Sequence, residues 1–197
     1  MNDYSHIKRY PSLADAKEAY YKGLDLHEKL VKEAFEKYGK LFADTLGVDV
    51  SKLEKLIEVH DQSKRTVEDE INGFMANRYP YEGDGIDDDH YGLRHAIYEK
   101  GLLSHYHNNP HHPEFWVFIK AQDWTLDAKP MDSIYICEML IDWVAYQNML
   151  QLRTVEEYWT HIRSTLFMHP HTVEQVDLLV TLVSEMQHKE HKEVAGE

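Results

Sequence analysis

The chain has 197 residues, 43% hydrophobic and 12% aromatic, which is enough for a real apolar core and unlike a disordered composition. Its net charge of −14 argues against a nucleic-acid duplex as partner, and its single cysteine, Cys137, excludes an internal disulfide and suits a reducing cytoplasm. No secretory signal is expected in MNDYSHIKRYPS, and no stretch approaches the roughly 18 consecutive apolar residues of a membrane span.

Helical periodicity runs almost throughout, and nothing reads as a strand ladder or an internal repeat. Leu24, His27, Val31, Ala34 or Phe35, Tyr38, and Leu41 or Phe42 form an i, i+3/i+4 stripe that predicts a helix from about 13 to 46, stopped by Gly47. Ser51 is the expected cap of the next helix, with Leu53, Leu56, Ile57 and His60 on its inner face. A third opens at Thr66, with Asp69 and Glu70 in its first turn, and runs to about Ala76. The stretch YPYEGDGIDDD reads as a loop, and a helix over about 88–106 follows it. Pro130 opens a helix over 131–151, TVEE at 154 is a capping box for another, and TVEQ at 172 for the last. The polar tail HKEHKEVAGE is expected to fray. The prediction is one all-α domain over 1–197, with a core over about 13–151 and a helical extension over about 154–190.

Histidine is the unusual residue: there are 14, against 21 lysines plus arginines. Four fall in HYHNNPHHPEFW, residues 105–116, a stretch almost free of aliphatic side chains and expected to be a loop. Elsewhere, polar groups sit where a core belongs. His27 and His60 continue apolar stripes, Asp61 follows His60, and Glu138 and Asp142 share a helix face with Tyr135, Ala145 and Met149. Burying an unpaired carboxylate costs several kcal/mol, so a cation or a complete hydrogen-bond network must compensate. A divalent metal with nitrogen and oxygen ligands would do so for all three helices at once. Each residue also has a plainer role. A lone core histidine is ordinarily hydrogen-bonded, Glu138 has Arg94 or Lys64 as candidate partners, and His161, His169, His171, His188 and His191 read as structural or solvated.

His27, then His60-Asp61, then Asp142 occur in an order that resembles the HD-domain superfamily, an all-α bundle whose metal ligands come as H…HD…D from separate helices. Three blocks, HDQSK, HYHNNPHHPE and EMLIDW, resemble more closely a bacterial and phage family with HDxSK, HxxxNxHHPE and EMxxDW signatures and no established activity. The resemblance spans about His27 to the end of the helix at 151 and implies a helical bundle of the HD type. Single-metal HD nucleotidases carry a glutamate where this chain has Lys64. An HDxxK run instead resembles the dinuclear branch, which includes the cyclic-di-GMP phosphodiesterases and the myo-inositol oxygenase-like enzymes. That branch needs further histidines between the HD pair and the last aspartate. His105, His111 and His112 lie in that interval, with His90 and His95 as alternates. The phosphodiesterases' DGxGYP loop is replaced here by HHPEFW, a departure that argues against cyclic-di-GMP as substrate.

The resemblance implies one or two divalent ions, iron, manganese or similar, on His27, His60, Asp61 and Asp142, with His105, His111 and His112 completing a second position. Asp61 would bridge the ions or orient water, and Lys64 would neutralise phosphate. Glu114 and Glu138 would fix histidine tautomers, and Asn109 would hold the loop or a substrate. The expected activity is hydrolysis of a nucleotide or another small phosphorylated metabolite. Alternatives are a di-iron oxygenase acting on a small polyol or phosphonate and a non-catalytic ligand sensor. A homo-oligomer stays open. Within HYHNNPHHPEFW, Pro110 and Pro113 restrict the residues before them, so His111 and His112 are expected to turn into one cavity. His107 is expected to be exposed, and Phe115 and Trp116 to anchor the segment by burial. The bland alternative is a rigid surface loop whose histidines bond backbone.

Overall fold

Ser12 opens the longest periodic stretch, its hydroxyl accepting the Asp15 amide, and the helix α1 runs Leu13–Leu46 in a computed structural model that describes residues 9–86, 91–150 and 154–195. Gly47 ends it in the left-handed region at φ 68°, with the Val48 amide turned back onto the Ala43 carbonyl. The further helices are α2 (Val50–Glu58), α3 (Ser63–Thr66), α4 (Glu68–Arg78), α5 (Tyr91–Asn108), α6 (Ser133–Leu150), α7 (Val155–Ile162) and α8 (Pro170–Ala195). The fold is all-α, as the periodicity predicts.

Several expectations need correction at the element ends. Asp49, not Ser51, caps α2, because its carboxylate reaches the Ser51 amide. Thr66 closes the short α3, and α4 starts after an extended Val67. The HYHN half of the histidine-rich stretch is helical as far as Asn108, beyond the expected end at 106. Thr172 is a buried residue of α8, which starts at Pro170, and its hydroxyl accepts the Met131 amide. The expected fraying tail is helical to Ala195. The capping box at Thr154 and Glu157 is present as expected. A strand ladder was not expected, yet Val117–Ile119 (β1) and Leu126–Ala128 (β2) pair antiparallel, with Ile119 opposite Leu126. Three-residue strands are too short to show an alternation in sequence. The start of the 88–106 helix, its His90, and residue 151 lie outside the described residues.

Contacts divide the chain into two compact units, and the chain passes between them after Leu26, His60 and Asn109. The first holds the start of α1 with α3, α4 and α5. Its core is Ala16, Tyr20, Phe74 and Met75, with Leu24, Ile71, Tyr79, Tyr98 and Leu102 packed on them. The helices α4 and α5 meet backbone to backbone: a Cβ on Gly101 would lie 2.6 Å from the Asp69 carbonyl and 2.8 Å from Gly73 Cα. Arg9 and Arg94 both reach Asp84 and the Ile86 carbonyl, which clasps the loop after α4.

The second unit holds the rest of α1 with α2, the β1–β2 hairpin and α6 to α8. His27, Val31, Ala34, Tyr38 and Phe42 form the buried stripe of α1. Helix α6 is apolar nearly all round, with Ile136, Cys137, Met139, Leu140, Ile141, Val144 and Ala145 buried, as befits a central helix. Its Glu138 and Asp142 are enclosed by that core. Among the described residues no helix is long and apolar enough to cross a membrane.

Gly101→Ala is expected to destabilise the protein by about 1–3 kcal/mol, because the obstructing atoms are backbone and cannot rotate away. Gly92→Ala on the same helix meets nothing within 4 Å and is expected to be neutral or slightly stabilising. Thermal unfolding of the two variants checks the pair of opposite signs.

Candidate metal centre

In the second unit, four segments bring polar groups together: α1 brings His27, the turn after α2 His60, the segment after Pro110 His111, and α6 both Glu138 and Asp142. All five are between 2% and 5% exposed. The ligand atoms of His27, His60 and Asp142 lie within 4.8 Å of one another. Asp142 Oδ1 is 3.1 Å from His27 Nε2 and 3.4 Å from His60 Nε2. A cation bonding such donors at about 2.0–2.2 Å, with angles near 90–110°, holds them about 2.8–3.6 Å apart. Both observed distances fall in that window, so the three residues fit a shared ion.

Glu138 has a different geometry. Its Oε1 lies 2.9 Å from His60 Nδ1 and 3.3 Å from His111 Nδ1. An ionised carboxylate only accepts hydrogen bonds, so the His60 proton that faces Oε1 is on Nδ1, and Nε2 is the nitrogen left to face Asp142. His60 thereby turns a donor nitrogen toward Asp142. Burial pushes both carboxyls up, but the imidazoles outweigh it: His111 and His60 hold Glu138 below its ordinary value, and His27 and His60 hold Asp142 well below. Ions could also be imagined among His60, His111 and Glu138, whose ligand atoms cluster as tightly. Glu138 Oε1 is hydrogen-bonded to His60 Nδ1 at 2.9 Å, the contact that an orienting carboxylate makes.

The histidine pair behaves unequally. His111 is buried and His112 half-buried, with ring centroids 4.4 Å apart. His112 is extended at φ −89° and ψ 132°, the restriction expected before Pro113. Pro113–Trp116 is a 3-10 turn in which Trp116 packs on the core and donates its ring N–H to the Pro110 carbonyl at 2.7 Å. Phe115 was expected to be buried as an anchor and is instead 40% exposed. Successive side chains of a 3-10 turn point about 120° apart, so facing Trp116 inward turns Phe115 out. Glu114 also departs from expectation. Among the described residues it bonds no histidine, its Oε2 is buried without a hydrogen bond, and burial pushes its carboxyl up.

In the first unit, Asp61 is buried and paired with the Lys64 ammonium, which also lies 5.2 Å from the centre of the Phe74 ring. The Tyr20 hydroxyl donates to the Lys64 carbonyl at 2.6 Å. His105 Nε2 is 3.5 Å from Asp61 Oδ1. Asn109 is buried and donates to Ser63 Oγ and the His105 carbonyl, so it holds the segment. His107 is exposed, as expected. His95 is exposed and pairs with Glu99 at 3.0 Å, while His105 is buried. Arg94 is engaged with Asp84 rather than Glu138. The residue that sequence reasoning passed over is Glu70, fully buried and bonded to His105. Three consecutive acids, Glu68, Asp69 and Glu70, read as a favourable first turn for α4, and only burial separates the last from its neighbours.

Residues 16–182 match a family described as "Family of unknown function (DUF5662)", and the chain belongs to it. No curated protein and no solved structure matches.

Removing divalent ions with a chelator is expected to lower the unfolding midpoint. Restoring an ion at about 100 times its Kd should return about 2.7 kcal/mol. Asp142→Ala should abolish that ion dependence. Glu138→Gln should weaken binding about 10- to 100-fold by releasing the two ring orientations. Calorimetric titration and metal analysis of the three proteins check this.

Proposed function

We propose, for a chain whose family description assigns no activity, a metal-dependent phosphohydrolase acting on a nucleotide or another small phosphorylated metabolite. One or two divalent ions, iron or manganese, are the cofactor. The observation that carries the reading is the buried His27–His60–Asp142 set, with donor separations of 3.1 and 3.4 Å that fit a shared cation. The ordered H…HD…D pattern and its HD-domain resemblance supply the reaction class.

A divalent ion held there would act as a Lewis acid on a phosphoryl oxygen and would lower the pKa of a water. His27, His60 and Asp142 hold the donors, and Glu138 keeps the His60 and His111 rings turned. In the first unit Asp61, paired with Lys64 and facing His105, holds a further ion with that ring or orients the attacking water. His111 and His112 offer further imidazoles in the second unit. Lys64 offers a cation for phosphate charge. With Cys137 alone and no disulfide, the cytoplasm is the proposed location. A second reading has a specific basis. Two histidines and one carboxylate are also the donor set of non-haem iron oxygenases, which fits an oxygenase acting on a polyol or phosphonate.

The test incubates purified protein with manganese or iron(II), and separately with chelator, on a panel of nucleotides and sugar phosphates. Phosphate release and oxygen uptake are both followed. Metal-dependent phosphate release is expected, lost in Asp142→Asn. Lys64→Arg keeps the charge that neutralises Asp61 but moves it, and should lower kcat/KM about tenfold, or roughly 1.4 kcal/mol. Its unfolding midpoint should change little. Oxygen uptake without phosphate release would move the assignment to the second reading, and absence of bound metal would remove both.

A further inference from the structure

Glu70 lies in none of the three sequence blocks, yet it is the point at which two of them meet. Its side chain is fully buried on α4. Oε2 lies 2.7 Å from Ser63 Oγ and 2.9 Å from His105 Nδ1, and Oε1 lies 2.9 Å from Asn108 Nδ2. Ser63 belongs to HDQSK, and His105 and Asn108 to HYHNNPHHPE. Asn109 Nδ2 donates to Ser63 Oγ at 2.7 Å, so the serine's own proton is directed to Glu70. Two of the three groups facing Glu70 are thus donors, and the third, His105 Nδ1, also lies 2.8 Å from Asn109 Nδ2; the two amide protons of Asn109 are taken up by Ser63 Oγ and the His105 carbonyl, which leaves Nδ1 to donate to Glu70.

We propose that Glu70 is a positioning residue that fixes the His105 imidazole with its proton on Nδ1 and its lone pair on Nε2. The proposal rests on the reading of His105 as a metal donor. It goes beyond it by naming what makes that ring a donor. A carboxylate can accept from all three groups at once. A glutamine turns an N–H toward one side of this set, so the groups there must reorient to receive it. Nε2 is the nitrogen that lies 3.5 Å from Asp61 Oδ1, so the tautomer presents the lone pair on the side of the HD aspartate. The ring plane is held as well, by the edge-to-face contact of Phe74, centroid to centroid 5.4 Å. The backbone contact of Gly73 with Gly101 supplies the approach. Glu70 is three residues before Gly73 and His105 four after Gly101, so the closest point of α4 and α5 sets these side chains within reach.

The experiment reads the imidazole nitrogen shifts of His105 in isotopically labelled, metal-free full-length protein at mildly alkaline pH, assigned with His105→Ala. The expected wild-type result is a protonated Nδ1 and a bare Nε2. Zn2+ is then titrated into wild type, Glu70→Gln and His105→Ala. Glu70→Gln should change the ring's tautomer and weaken Zn2+ binding about 10- to 100-fold, to the level of His105→Ala. A protonated Nε2 in the wild type overturns the proposal, and that measurement needs no variant to fold. So does a folded Glu70→Gln with wild-type nitrogen shifts and Zn2+ affinity. Should His105→Ala bind Zn2+ as wild type does while the wild-type ring is protonated on Nδ1, the donor reading of His105 fails and the hold of Glu70 on the ring stands.

Discussion

A carboxylate inside a helical core is tolerated only where donors or a cation surround it, and three buried acids of this chain meet that condition with imidazoles at short range. Glu138, Asp142 and Glu70 are buried, and each faces at least one imidazole at 2.9–3.4 Å. The ordinary value of a lone buried carboxyl would rise; all three lie below it because of their neighbours, chiefly imidazoles. The helices therefore cannot slide or rotate independently of these contacts. In the second unit, Glu138 and Asp142 stand one turn apart on α6, between apolar residues on every side. A shift of that helix by one residue would turn both acids about 100° away from the histidines and leave them unmatched.

The two kinds of contact divide the labour. Glu138 and Glu70 lie on Nδ1 of their histidines, where a carboxylate takes the proton. Asp142 faces Nε2 of His27 and His60, at separations that suit ligands of one ion. That asymmetry supports the metal reading more strongly than the number of histidines does.

Most of the second-unit arrangement was legible in the sequence because its residues break a periodic stripe. His27 stands in line with Val31, Ala34, Tyr38 and Phe42, and an apolar helix carrying Glu138 and Asp142 on one face announces a buried charge. Glu70 gave no such signal. The α4 sequence EDEINGFMANR has no clear apolar face, and an acid in a first turn is ordinary. What buries Glu70 is the approach of α5, and that depends on two glycines far apart in sequence. The hairpin was hidden for a similar reason, since its strands are three residues long and Ile119, Leu126 and Trp124 are exposed rather than alternating with polar residues. Phe115 misled through its hydrophobicity alone, because the 3-10 turn allows only one of two adjacent aromatic residues to face inward.

The backbone at Asp61 explains how two adjacent side chains serve different networks. Asp61 has φ 56°, the left-handed region that aspartate tolerates better than most residues. In a continuing helix His60 and Asp61 would diverge by about 100° and both would follow the axis of α2. Here α2 has already ended, with its C-cap at Val59, and Asp61 adopts the left-handed conformation before α3 begins at Ser63. The His60 ring stays with Glu138 and Asp142 in the second unit, while the Asp61 carboxylate pairs with Lys64 and faces His105 in the first. The unit boundary falls on the peptide bond between them. An HD dipeptide is informative for this reason: the histidine reports one environment, the aspartate another, and the left-handed turn makes both possible within two residues.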